Sequence, residues 1–293
     1  MQRRVRRVFL GVLALGVVFS AVGCSGDDTS PDWWAQSPAE DATPEADATD
    51  ASEEADVSAD VPDDETVAEA EAAADVQQEE SAPPAPCPDD MALVGTVCMD
   101  LYEAPNRAGE LPLVMYTLLQ GDAWCSARGK RLCYDDDWET ACAGPDVTSY
   151  PYGDTHDPVA CNDDKTWKTY DQSLLNGWPG SVSASGVESL QELIDAARAV
   201  SVTAKAAADH VEWLYQATPA GAKAACANAY GVFDLCGNVE EWTLRRDGGT
   251  TDFHGNLKGR YWAEPRTCQG NVTVHGDGFR FYEIGFRCCT DPQ

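Results

Sequence analysis

Between Ser25 and Pro86 the chain carries 20 Asp or Glu and no Lys or Arg, with Ala, Pro, Ser and Thr filling the gaps. Such a segment buries too little apolar surface to offset the entropy of ordering its backbone, and its like charges extend it. Residues 25–86 are therefore expected to form a disordered acidic stalk, stiffened at its end by the run SAPPAP. The pair Trp33-Trp34 departs from this pattern; a chance exposed pair or a membrane-proximal contact accounts for it. The expected folded unit is residues 87–293.

The stalk follows a leader of opposite character. Arg3, Arg4, Arg6 and Arg7 precede an apolar run from Val8 to Val22, which ends in Gly23-Cys24. A basic start, a short apolar core and small residues before a cut describe a secretory signal. The core is shorter than the roughly 18 to 20 apolar residues of a spanning helix. The AVGC stretch also resembles a bacterial lipobox, with Ala21 where Leu is more usual, which makes Cys24 the lipidated N-terminus; an ordinary signal peptide cleaved nearby is the alternative.

Removing the leader's four Arg and the stalk's 20 acids leaves 16 basic and 30 acidic side chains in residues 87–293, a net charge of -14. That balance argues against nucleic acid or an anionic membrane surface as partner, because phosphate binding relies on clustered Lys and Arg. It suits cations. Eleven of the 12 Cys fall here. In an exported chain the default for them is disulfides, and an odd number leaves at least one thiol unpaired within the chain. No CxxC is present, and His156, His210, His254 and His275 are scattered, so the spacing is not that of a zinc site.

Cys87 and Cys98 bracket an apolar run with a Gly turn, which reads as a hairpin closed by a local disulfide. Helical spacing predicts a helix over about 116–127, ended by Gly129, and a second starting near Asp135 with Trp138 and Cys142 on one face. Residues 144–186 read as irregular chain packed by Trp167, Tyr170 and Trp178. Residues 187–217 are Ala-rich, with Val187, Leu190, Ile194 and Ala197 on one face, and are expected to be a pair of helices. From Gly231 onward, short apolar pieces between Gly-rich turns suggest strands. The class is α+β, irregular and disulfide-rich.

Seven landmarks occur in order: DLYEAPN (100–106), AWCSARGKRL (123–132), DDWETACAG (136–144), YPYG (150–153), CN (161–162), YGVFDLCGNVEEWT (230–243) and GFRCC (285–289). This series resembles the formylglycine-generating enzyme family, also called sulfatase-modifying factor domains, over most of residues 87–293. The resemblance implies a C-type-lectin-like fold, with 187–217 as a helical insertion. Active members of that family oxidise a Cys of a sulfatase to formylglycine, using copper held by two thiolates four residues apart. Soft cuprous ion favours such ligands. The matching stretch here, GNLKGRYWAEPRTC, holds only Cys268, at the family's structural position. Counting back puts Lys258 and Ala263 at the thiolate positions, so copper is not expected and no catalytic residue is assigned.

The resemblance further implies the disulfides Cys125–Cys288 and Cys142–Cys268; Cys87–Cys98 is a local reading. Partners of Cys133, Cys161, Cys226, Cys236 and Cys289 stay open, with Cys133–Cys289 attractive. It also implies a structural calcium site in which Asp234 and Glu241 supply side-chain oxygens, and Gly237 and Val239 supply carbonyls. A second site would begin at Asn162 and the carbonyl of Asp163. Without the resemblance these acids read as a solvated turn. Glu240, on the other face of a strand, is expected to be exposed. His156 and His254 lack a nucleophile to serve as general bases. The iron-dependent sulfoxide synthases among the relatives use a His cluster in a separate helical domain, which this chain does not match.

The expected protein is a monomeric surface lipoprotein, held in the membrane by its N-terminal lipid. Ser25 after Cys24 is compatible with the outer membrane. Its domain binds an unidentified protein or glycan through loops around Arg245 to Tyr261. The alternatives are a genuine modifying oxidase and a purely structural envelope protein. Replacing Cys24 with Ser is expected to move the protein from the membrane to the soluble fraction; retention in the membrane fraction rejects the lipid anchor.

Overall fold

A computed structural model describes residues 85–183 and 186–293. The leader, Cys24 and the stalk up to residue 84 lie outside them. No described helix is long and apolar enough to cross a membrane.

The chain enters through a hairpin, β1 (Met91–Val94) and β2 (Val97–Asp100), paired from Met91 with Asp100 to Val94 with Val97. Helix α1 (Leu118–Ser126) follows; its first turn is closed by a reciprocal pair, in which the Thr117 hydroxyl accepts from the Gln120 N–H and the Gln120 side chain accepts from the Thr117 N–H. The short strand β3 (Arg131–Leu132) leads to α2 (Asp135–Ala143), whose first turn is Asp135, Asp136 and Asp137. Three carboxylates there complement the partial positive charge of the exposed N–H groups. Helix α2 turns Trp138, Ala141 and Cys142 inward.

After irregular chain and the short α3 (Gln172–Leu175), the Ala-rich segment forms α4 (Leu190–Val200) and α5 (Val202–Leu214). Extended Ser201 separates them, and its hydroxyl caps α5. Buried Ala197, Ala204, Ala207 and Ala208 are small enough to let helical surfaces approach closely, and Ala197, Ala207 and Ala208 join the apolar core shared with Leu193, Val211 and Leu214.

The remaining strands are β4 (Glu240–Leu244), β5 (Gly255–Lys258), β6 (Ile284–Phe286) and β7 (Cys288–Thr290). They complete two sheets, a four-stranded one ordered β1-β2-β7-β3 and a three-stranded one ordered β5-β4-β6. The pairing of β4 with β6 is parallel; the other pairings are antiparallel. Arg287 is the single residue between β6 and β7, so the chain changes sheet at that point. Trp242 of β4, Phe286 of β6 and Trp124 of α1 fill the larger core, and Trp138 packs into a second cluster with Val94, Met99 and Leu235.

Five disulfides tie these elements: Cys87–Cys98, Cys125–Cys288, Cys133–Cys289, Cys142–Cys268 and Cys161–Cys226. Two of them join α1 and the segment after β3 to adjacent residues of β7. Cys236 is the free, buried thiol among the described cysteines. The segment read as loop around Arg245 to Tyr261 contains β5, all four residues of which are buried. Its alternation was masked by Gly255, whose missing side chain admits the Trp242 ring; a Cβ there would lie 2.5 Å from that ring.

Candidate functional site

The turn Asp234 to Glu241 is built by three residues of left-handed backbone, Asp234 (φ 60), Gly237 (φ 73) and Asn238 (φ 57). Only Gly fits at 237: a Cβ would sit 2.4 Å from the carbonyl oxygen of Asn162. That close approach brings the CN pair against the turn. The Asn238 N–H donates to the Asn162 carbonyl at 2.8 Å, and the Asn162 amide donates to the Asn238 side-chain oxygen at 3.0 Å. The two separate sequence signals, 161–163 and 234–241, are thus neighbours.

Glu241 is the counter-ion of Arg287. The guanidinium donates from Nε to Oε2 at 2.7 Å and from Nη2 to Oε1 at 2.6 Å, and the indole N–H of Trp138 also donates to Oε2, at 2.9 Å. Asp234 accepts the Gly221 N–H at 2.8 Å through Oδ2, while its Oδ1 is buried without a partner. Burial, partly offset by that N–H and by Arg287, pushes Asp234 up to about 6. Glu103 completes the group. One of its oxygens accepts from the Asn238 amide at 3.0 Å and the other is a buried orphan; burial first, then the charge of Asp234, holds its carboxyl well above the usual range. Sequence reading used DLYEAPN only as a landmark and missed Glu103 as part of the site. An acid ahead of Ala104-Pro105, in chain leading to an apolar run, was the available signal.

Three carboxyl groups share one guanidinium, and burial favours the neutral form of Glu103 above all. Two orphaned oxygens, Glu103 Oε2 and Asp234 Oδ1, face burial with no donor. Such oxygens are of the hard kind that calcium prefers, in sets of six to eight, but among the described residues no group of three or more His, Cys, Asp or Glu side chains is placed to hold a metal ion. Near Asn162, His156 Nε2 lies 2.9 Å from the Asp163 carboxylate, which accepts from it in the tautomer protonated at Nε2, and the Cys236 thiol lies 3.8 Å from the same oxygen. Burial pushes Cys236 up to about 12, so it stays a thiol.

Copper does not fit. Lys258, on β5, is 0% exposed, and its ammonium donates to Glu139 Oε2 at 3.2 Å and to Asn271 Oδ1 at 3.2 Å, 5.5 Å from the centre of the Trp138 ring. Burial lowers its pKa, with Glu139 opposing that shift. By the count along the resemblance, a paired ammonium stands about where one thiolate is expected and the methyl of Ala263 about where the other is. Neither donates to a soft metal.

Glu240 is corrected from exposed to buried, at 4% exposure. Its face of β4 is covered by Arg266 (3.3 Å) and Arg260 (3.7 Å), two cations supplied from residues 260–266 that single-strand alternation cannot foresee. Beside it Glu283 is pushed up to about 8 by burial and by Glu240, against the pull of Arg260, and its Oε2 is an orphan. The other basic side chains of the expected binding loops are engaged within the molecule. Arg245 pairs with Asp247, His254 with Asp277, and Arg246 with Asp136 and Asp137 while lying over the Tyr134 ring. Trp262 is fully buried.

The family described as the sulfatase-modifying factor enzyme 1-like domain, FGE-sulfatase, matches residues 103–292. Similar solved structures include one described as the crystal structure of CarF, with 15% identity and a TM-score of 0.40 over 63% of this chain and 69% of that one. PvdO from Pseudomonas aeruginosa gives 16% identity and a TM-score of 0.39 over 67% of this chain and 80% of that one. Treponema denticola variable protein 1 gives 21% identity and a TM-score of 0.28 over 56% of this chain and 48% of that one. No curated protein matches the sequence.

Glu283 gives the site a pH signature. Its folded pKa lies above its ordinary value of 4.5, so the stability it contributes is full below about 4.5 and is lost as pH rises to about 8. Over pH 6 to 8 the wild type is expected to lose stability relative to Glu283→Gln by roughly 1 kcal/mol per pH unit. Urea unfolding at both pH values checks this; a constant gap means that Glu283 is already ionised.

Proposed function

Because the chain belongs to the formylglycine-generating enzyme, or sulfatase-modifying factor, family and has its α+β, C-type-lectin-like fold, we propose that it is a binding member of that family without the copper-dependent oxidation. The observation that carries this reading is the buried Lys258, paired with a partly exposed Glu139, together with Ala263, at the two positions the resemblance gives to thiolates. Copper(I) would meet a positive charge and a methyl group, not two sulfurs. The partner is a protein or a glycan, and the anchor is the lipid on Cys24, in the outer membrane. Purified protein is expected to bind no stoichiometric copper(I) and to leave the Cys of a sulfatase-type peptide unoxidised. Copper binding with turnover overturns the proposal and restores the oxidase.

Calcium, in this reading, is held by Asp234 with Glu241 and the carbonyls of Gly237 and Val239, joined by Glu103. When bound it supplies a fixed positive charge that offsets the carboxylate excess around Arg287. Millimolar calcium is expected to raise the melting temperature by several degrees, the size of shift produced by ligand at roughly 100 times its Kd. Asp234→Asn should remove most of that gain. An unchanged melting temperature, with no calcium taken up in direct titration, rejects the site.

A further inference from the structure

The helical segment 187–217 has no role in the binding and calcium readings above, yet it forms one wall of a cleft of about 560 Å³ whose opposite wall is the segment from Gly109 to Leu111. Its floor is apolar. Leu190 and Ile194 stand one turn apart on α4, and Val211 and Tyr215 one turn apart at the end of α5. The walls are held by the main chain: the Gly109 N–H donates to Ala220 at 3.0 Å, and the Ala220 N–H donates back to the Glu110 carbonyl at 2.8 Å. The Tyr215 hydroxyl donates to the Pro112 carbonyl at 2.9 Å, which fixes the ring against the floor. The cleft is therefore formed before any ligand arrives, and its volume falls within the roughly 300 to 1,000 Å³ typical of small-molecule sites.

Charge around the cleft has one sign. Glu110 and Glu212 line it, and no Lys, Arg or His does. Glu212 is paired with Arg198 at 2.5 Å, whereas the exposed Glu110 carboxylate has no ion-pair or hydrogen-bond partner among the described residues. A ligand with an apolar body would lie against Leu111, the Tyr215 ring and the edge of Leu190, above the buried Ile194 and Val211, and a positive head would meet Glu110. We propose that this cleft binds a small cationic amphiphile, an aliphatic or aromatic body carrying one amine or ammonium group. The site is separate from the turn at Asp234 and from the Lys258 position, and stands whether or not those readings hold.

Calorimetric titration of the full-length protein at low salt, with decylammonium, decanol and decanoate below their micelle concentrations, separates body from charge. Decylammonium is expected to bind most tightly and decanoate least, by roughly fivefold or more, the scale of one exposed charge pair. Glu110→Gln, at an exposed position, should erase the preference for the ammonium and leave decanol unchanged. Ile194→Trp should fill the cleft and abolish binding of all three; if that variant does not fold, Glu110→Gln decides. Equal affinities for the three probes, a preference for decanoate, no binding at all, or an ammonium preference that survives Glu110→Gln each overturn the proposal.

Discussion

The buried ion pair between Arg287 and Glu241 holds the two sheets in their relation. Arg287 is the residue at which the chain leaves β6 and enters β7, and it is 0% exposed. Its guanidinium binds the Glu241 carboxylate of β4, the Phe233 carbonyl at 3.0 Å and the Asp100 carbonyl at the end of β2 at 3.4 Å. Trp138 of α2 reaches the same carboxylate. A planar fork with five donors suits a site where several chain segments must be met at once. Desolvating two charges is costly, and loss of one partner alone would strand the other in the interior, at roughly 3 to 5 kcal/mol.

That guanidinium also explains why the acids of the turn are tolerated. Glu103 and Asp234 are buried beside it, and its charge opposes their upward shift. Some 20 residues further on, Lys258 sits over the Trp138 ring with Glu139 as its counter-ion. The indole of Trp138 thus stands between an acid-rich site on one side and a buried cation on the other. A shared architecture accommodates both.

Local pattern carried much of the fold. The hairpin, the helices at 118–126 and 135–143, and the helical pair within 187–217 follow from spacing and capping, because those signals lie within a few residues of the structures they specify. The candidate site was legible only in pieces. Asp234, Gly237 and Asn162 stood out in their motifs, but Glu103 did not, since its environment is assembled from a segment more than 130 residues away. Glu240 was misread for a related reason: alternation along one strand predicts which face a side chain takes, and the arginines that cover that face come from later chain. Likewise β5 lies within the stretch expected as loops around Arg245 to Tyr261, and the indole and carboxylate that make room for Gly255 and Lys258 belong to other elements.

By itself the sequence determined the division between an acidic, Pro- and Ala-rich stretch and a cysteine-rich unit, the family of that unit, and the absence of thiols at 258 and 263. Each of these depends only on which residues are present and in what order. Tertiary structure alone decided which charges are buried and what they face, because desolvation and Coulomb attraction act through space between side chains distant in sequence. The Arg287–Glu241 pair, the Lys258–Glu139 pair, the covered Glu240, the unpaired Cys236 and the cleft beside α4 and α5 all arise in this way.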